Sequence, residues 1–223
     1  MTDPTRRKLR FLAGFAVYFG ALWFLWDTPV VYPLKMFVVL LHEVSHALAA
    51  IATGGSLERI TLDPNQGGAT YTLGGSRFLT LSAGYLGSLG WGALMVAAAR
   101  APRVRSDRVV GLVGGLVAVL TLAYVRNGFG LVFGAVFGVA LMAASRRFSV
   151  AMNRTLLMTL GLTSTLYAIL DIKSDVLDRS HLPSDAFMLS ELTGIPTQVW
   201  GTLWITVALA VAALLFRWAY RRA

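Results

Sequence analysis

The chain has 223 residues, of which 56% are hydrophobic and only 14% are charged, and its mean hydropathy is +0.65. Soluble domains carry about 25% charged residues, so this composition excludes a disordered chain and argues against a water-soluble enzyme. The net charge of +9 comes mainly from short basic runs between apolar segments, a pattern typical of cytoplasmic loops that face anionic lipid rather than of a nucleic-acid-binding surface.

Seven apolar segments follow one another along the chain, and a membrane-spanning helix needs about 20 such residues. The basic loops and both termini favour the cytoplasm, but seven complete crossings cannot place both ends on one side. We therefore predict a single all-α polytopic membrane domain, residues 1–223, with six to seven transmembrane helices in a bacterial inner membrane. The predicted helices cover residues 11–26, 33–53, 78–99, 109–125, 128–144, 155–172 and 197–218.

Residues 56–75 differ in kind from the apolar segments around them. Turn-forming residues at 63–68 separate a mixed polar and apolar run from the β-prone run at 69–73. This order predicts a small β-hairpin after the second helix. A plain polar loop is the alternative.

Three glycines recur at every fourth position of the fifth segment, at Gly130, Gly134 and Gly138. Residues at this spacing fall on one face of a helix. Small residues let two helix backbones approach closely in a membrane. The spacing therefore predicts a close-packing surface for a neighbouring helix.

The second segment contains the pattern His-Glu-x-x-His at residues 42–46. His42 and His46 are four residues apart and share one helix face, so both can bind the same ion. Glu43 lies about 100° round the helix, where it suits a general base acting on a zinc-activated water better than a ligand. Ionisable residues inside a membrane cost about 2.5–3.5 kcal/mol, which favours a functional role. A hydrogen-bonded cluster that only packs helices is the alternative.

The third ligand of such a site has to be a carboxylate, because the chain has no cysteine and His181 lies in a distant loop. Asp171 and Asp175 close the sixth segment, and Asp171 reaches further into the membrane. We choose Asp171 as the third ligand, with Asp175 as its substitute or as a hydrogen-bond partner of a ligand histidine. A water-facing carboxylate at the helix end is the alternative for Asp171. Asp185 is expected to be the N-cap of a short loop helix.

The motif in its transmembrane setting resembles the site-2 protease type of intramembrane zinc metallopeptidase, and in particular its small membrane peptidase-like subgroup. The glycine pair at 54–55, the hairpin and the run at 82–87 are similar to that family. Leu170-Asp171 resembles the family's late Leu-Asp pattern, which supplies the third ligand. The stretch at 167–172 and Ser184-Asp185-Ala186 fit the pattern of the subgroup.

This resemblance implies one zinc ion held by His42, His46 and Asp171. Glu43 is then the catalytic residue, and the activity is hydrolysis of peptide bonds in membrane-embedded protein substrates, with the lipid bilayer as the other partner. Three alternatives from other classes stay open: a non-proteolytic membrane protein with a structural zinc site, a metal-ion transporter, and a helix-packing scaffold without metal. Glu43 separates them, because only a protease needs it.

Three further residues are candidates for contacts with a substrate. Tyr71 and Thr72 lie in the β-prone run and could present an edge strand to an unwound substrate. Asn127 lies between the fourth and fifth segments, where its amide could bind a substrate backbone. A simple turn residue before Gly128 is the alternative for Asn127.

Overall fold

The computed structural model describes residues 4–26, 28–178 and 183–221. Within them the chain forms eight α-helices, a two-stranded antiparallel sheet and a π-helical turn at Ser174–Asp178. The elements are α1 Pro4–Leu25, α2 Tyr32–Ala52, β1 Ser56–Asp63, β2 Gly67–Leu73, α3 Arg77–Arg100, α4 Ser106–Tyr124, α5 Gly128–Arg147, α6 Val150–Lys173, α7 Asp185–Thr193 and α8 Thr197–Arg221.

Seven helices in the described part of the chain are long and apolar enough to cross a membrane, all except α7. The predicted helical membrane class and the hairpin after the second helix are therefore confirmed. Some helices begin earlier than their apolar runs. α6 starts at Val150, because the Ser149 hydroxyl accepts a hydrogen bond from the backbone N–H of Met152 at 3.2 Å and caps the helix.

The hairpin is held on its outer side by the turn between α4 and α5. The N–H of Arg126 donates to the carbonyl of Ile60 at 3.0 Å. The Asn127 side chain donates to the carbonyl of Leu62 at 2.7 Å and accepts from the N–H of Leu62 at 3.1 Å. These bonds occupy the outer edge of β1, whereas β2 has a strand neighbour on one side only among the described residues.

The helices α4 and α5 pack closely through glycines, as the spacing in the fifth segment predicts. Gly134 lies against Thr121, and Gly138 lies against Gly114 and Ala118. A Cβ atom placed on either Gly114 or Gly138 would lie 2.8 Å from the carbonyl oxygen of the other. The backbones of α4 and α5 are therefore so close here that only glycine fits at these two positions.

The N-terminal end of α1 packs against the C-terminal end of α8. The Phe11 ring lies 5.7 Å from the Phe216 ring and 6.2 Å from the Tyr220 ring, and the Lys8 ammonium lies 5.4 Å from the centre of Tyr220. The start of α1 is therefore beside the end of α8. The basic ends of these two helices therefore lie together, as their charge predicts.

We expect Gly114→Val to destabilise the protein and Gly115→Val to leave it nearly unchanged. The added side chain at Gly114 meets the α5 backbone, whereas a Cβ at Gly115 meets no atom within 4 Å. Overpacking of this kind typically costs about 1–3 kcal/mol. Thermal unfolding of both variants in the same detergent measures the difference, and equal melting temperatures would show that the close approach is unimportant.

Candidate metal centre

The His-Glu-x-x-His pattern lies in the middle of α2, which is a continuous, mostly buried helix. Pro33 stands in its first turn, where the missing N–H is tolerated, and no glycine interrupts it before Thr53. Glu43 and His46 are 5% and 7% exposed. One potential ligand atom from each of His42, Glu43 and His46 lies within 4.8 Å of the others.

A carboxylate from the far end of the chain reaches both histidines. Oδ2 of Asp185 lies 3.0 Å from Nε2 of His42 and 3.2 Å from Nε2 of His46. Burial by itself would raise the pKa of Asp185, but the two adjacent imidazoles outweigh it and hold that pKa below the ordinary carboxyl value. The two imidazole nitrogens and the carboxylate oxygen therefore converge on one small volume.

These distances fit a shared metal ion. Ligand atoms at about 2.0–2.1 Å from a tetrahedral zinc ion lie about 3.3 Å from one another. The observed separations of 3.0 and 3.2 Å are close to that value. Two imidazoles with one carboxylate are also the ligand set of many catalytic zinc sites, which leave one position open. The His42 side chain is 14% exposed.

The expected N-cap role of Asp185 is wrong. The N-cap of α7 is Ser184, whose hydroxyl accepts from the backbone N–H of Phe187 at 3.2 Å. Asp185 is the first residue of the helix and is 7% exposed. Its carboxylate is therefore free of the capping bond and turns toward the histidines.

Packing of α7 against three other elements brings Asp185 to this place. Ala186 and Leu189 are fully buried in a cluster with Tyr85 of α3, Ile172 of α6 and Trp204 of α8. Because Asp185 precedes Ala186 directly, the position of that cluster fixes the position of the carboxylate. The loop before α7 lies partly outside the described residues, and so does His181.

The first turns of α3 orient and accommodate the two imidazoles. Nδ1 of His46 donates to the carbonyl of Thr80 at 2.6 Å, which leaves Nε2 as the ring nitrogen available to a metal. A Cβ at Gly84 would overlap Nε2 of His42 and lie 2.6 Å from Cε1 of His46. Glycine at this position therefore provides the space that the rings occupy.

The hairpin supports Glu43. The Thr70 hydroxyl on β2 lies 2.7 Å from Oε2 of Glu43 and 2.9 Å from the backbone carbonyl oxygen of Glu43, and its one proton is shared between these two acceptors. A Cβ at Gly68 would lie 2.5 Å from Oε1 of Glu43. The strand backbone thus lies directly against the carboxylate, and one hydroxyl fixes the orientation of that carboxylate.

The aspartates predicted as third ligand lie at the C-terminal end of α6, and the Asp171 carboxylate is near enough to His42 to interact with it electrostatically. Asp171 is half-buried in the last turn of this helix, and Asp175 lies in the π-helical turn that follows. Oδ2 of Asp175 accepts from the hydroxyl of Tyr85 at 2.5 Å, and the Tyr85 ring lies 4.9 Å from the His42 ring. Metal binding by Asp171 or Asp175 stays a prediction, and Asp185 is the carboxylate found against both histidines.

The candidate substrate-binding residues have different surroundings. Tyr71 is 40% exposed and its ring carries the Arg59 guanidinium at 3.9 Å, and Thr72 is half-buried beside it. The Asn127 amide is engaged by both backbone groups of Leu62. This geometry gives Asn127 a structural part in holding the hairpin, and substrate binding by Tyr71 and Thr72 stays a prediction.

Sequence reasoning missed four contributors to the centre: Thr70, Thr80, Gly84 and Asp185. Of these, Gly84 and Asp185 did stand in runs that fit the family pattern, which was the available indication. Thr80 acts through its backbone carbonyl, so no side-chain pattern could reveal it. Thr70 acts through a hydroxyl that only the folded hairpin brings to Glu43.

Comparison with known proteins gives one match. The family described as Peptidase M50B-like matches residues 15–215 of the chain. No curated protein and no solved structure matches it.

We expect Asp185→Asn to weaken zinc binding by at least about 100-fold, because loss of a ligand exceeds the 10–100-fold effect of losing an outer partner. His42→Ala combined with His46→Ala is expected to abolish zinc binding, whereas Asp171→Asn and the control variant Asp107→Asn, in the first turn of α4, keep it. Metal content of the purified full chain and zinc titration measure this. Zinc retained in Asp185→Asn but lost in Asp171→Asn would restore the assignment to Asp171.

Proposed function

The chain belongs to the M50B-like peptidase family, and from this membership we propose that it is an intramembrane zinc metalloprotease that cleaves membrane-embedded protein substrates. The observation that carries the proposal is the convergence of His42, His46 and Asp185 beside the separately held carboxylate of Glu43. The protein is an integral membrane protein, and we place it in a bacterial inner membrane.

We assign zinc binding to His42, His46 and Asp185, on the contact of the Asp185 carboxylate with both Nε2 atoms. Asp171, and Asp175 as its substitute, are the alternative third ligands. Bound zinc supplies a water activated near neutral pH and a Lewis acid that polarises a peptide carbonyl.

The role of Glu43 is general acid–base catalysis. Its carboxylate is not engaged by Asp185 and projects toward β2, where the Thr70 hydroxyl holds Oε2. In this orientation Glu43 takes a proton from the attacking water and gives it to the leaving amine of the cleaved bond. Thr70 is a positioning residue for this transfer, since its hydroxyl fixes the rotamer of the carboxylate.

The edge of β2 is where we propose that the substrate binds. A helical substrate hides its carbonyls in its own hydrogen bonds, so it has to unwind before cleavage. Strand addition to a sheet edge holds a peptide extended through backbone hydrogen bonds. β2 offers such an edge next to Glu43, with Tyr71 and Thr72 on the same strand, whereas Asn127 and its neighbours occupy the opposite edge of the sheet.

The other functions considered are a structural zinc site and a metal-ion transporter. Neither needs a carboxylate that lies outside the ligand set and is oriented by its own hydrogen bond. The separate support of Glu43 by Thr70 therefore favours proteolysis over both.

We expect Glu43→Gln to keep zinc and to lower the rate of peptide-bond cleavage by about 10²–10⁴-fold, because the amide cannot accept the proton. The measurement compares wild type and variant in membrane vesicles, with new peptide termini in transmembrane proteins identified by mass spectrometry. Zinc content is determined on the same preparations. Termini that appear equally with both proteins would remove Glu43 from the mechanism.

Thr70→Val is expected to lower cleavage by about 10- to 150-fold, since one hydrogen bond to a charged group contributes about 1.5–3 kcal/mol. Zinc content should not change. Thr61→Val on β1 is the matched control, because its hydroxyl makes only a 3.5 Å contact with the carbonyl of Ala69. Equal activities of the two variants would contradict a positioning role for Thr70.

A further inference from the structure

A cavity of about 690 Å³ lies between α1, α6 and α8, with part of its wall from α3. Its lining is almost entirely apolar, and it includes none of the residues assigned to zinc or to the general base. Ligand cavities in proteins are typically about 300–1,000 Å³. The cavity is therefore large enough for a ligand and separate from the metal centre.

One end of the cavity is strongly basic. Arg10 of α1, Arg100 of α3 and Arg154 of α6 line it, and the described residues that line it include no carboxylate. The Arg100 side chain is fixed, because Nη2 donates to the carbonyl of Ala219 at 2.7 Å and the guanidinium lies 5.2 Å from the Phe11 ring centre. Arg10 and Arg154 are exposed.

The cavity extends from this basic end along α6. Arg154 and Ile169 both line it, and fifteen residues of helix correspond to about 22 Å. A bilayer with its headgroups is about 40–45 Å thick, so 22 Å is the thickness of one leaflet. A charged end and an apolar interior of this length match the shape of one lipid molecule.

α1 covers the cavity without filling it. Phe15 packs on Phe216 of α8 at 4.8 Å, and the Tyr18 hydroxyl lies 2.8 Å from Oγ1 of Thr163 on α6. Only 6% of the apolar window of α1 is buried inside the protein. α1 thus contacts α8 through Phe15 and α6 through Tyr18, with empty space between these contacts. A Cβ on Gly14 would meet no atom within 4 Å.

We propose that this cavity binds one anionic phospholipid, with its phosphate between Arg10, Arg100 and Arg154 and an acyl chain along α6. Basic pockets between transmembrane helices are suited to anionic headgroups. An apolar substrate helix is a poorer occupant, because it offers no anion to the three arginines that line the cavity. The bound lipid would fasten α1 to α6 and α8.

Native mass spectrometry of the purified full chain tests the headgroup. Phosphatidylglycerol and phosphatidylcholine with identical acyl chains are titrated separately. We expect wild type to retain one phosphatidylglycerol in preference to phosphatidylcholine. Arg10→Gln with Arg154→Gln should weaken phosphatidylglycerol binding about 30-fold, since each basic residue near the surface contributes about fivefold. Arg146→Gln with Arg147→Gln removes the same charge from the end of α5, outside the cavity, and should keep wild-type binding.

A second pair of variants tests the apolar part. Gly14→Phe fills the cavity and should abolish retention of the lipid. Gly20→Phe adds the same ring to α1 at a position that also meets open space but does not line the cavity, and it should retain the lipid. This pair tests lipid binding in the cavity independently if the double arginine variant does not fold.

Several results would overturn the proposal. Equal retention of the two phospholipids would show that the arginines do not select charge, and equal weakening by both arginine pairs would indicate a general surface effect. Retention by Gly14→Phe would place the lipid elsewhere. Displacement of the lipid by an uncharged transmembrane peptide would make the cavity a protein-binding site.

Discussion

The burial of four ionisable side chains inside an apolar helical bundle is the constraint on which the rest of this structure depends. His42, Glu43, His46 and Asp185 are largely withdrawn from solvent there, and an unpaired charge in such a place is costly. Other elements therefore supply partners to the residues of α2. The Asp185 carboxylate of α7 meets both histidines, a backbone carbonyl of α3 accepts from His46, and a hydroxyl of β2 donates to Glu43. The arrangement of these elements round α2 follows from that requirement.

Close approach is the second condition, and glycines meet it in three places. Gly84 leaves room for the imidazoles, Gly68 lets the strand lie against Glu43, and Gly114 with Gly138 brings α4 and α5 together. The last contact holds the turn whose Asn127 and Arg126 bind β1. Helix packing, hairpin position and the orientation of the general base are thus connected through backbone contacts, although Asn127 is far from the metal ligands in sequence.

Local patterns predicted much of the fold, because they depend on neighbours in the chain. Apolar length gave seven helices, the turn-rich stretch at 63–68 gave the hairpin, and the glycine spacing in α5 gave its packing face. The predicted helix ends were less accurate, since a hydrophobic run marks the part of a helix suited to lipid and does not mark the capping residue. The predicted N-cap of α7 was wrong by one residue, because Ser184 and Asp185 are both common N-cap residue types.

The sequence by itself determined that this is a helical membrane protein and that His42 and His46 share a face with Glu43 beside them, because helix periodicity places residues four apart together. Only the tertiary structure decided which carboxylate meets those histidines. Asp171 had the better position by its depth in a helix, but the packing of Ala186 and Leu189 against α3, α6 and α8 brings Asp185 to the site. Contacts across more than one hundred residues follow from the shape of the core, which no spacing along the chain records.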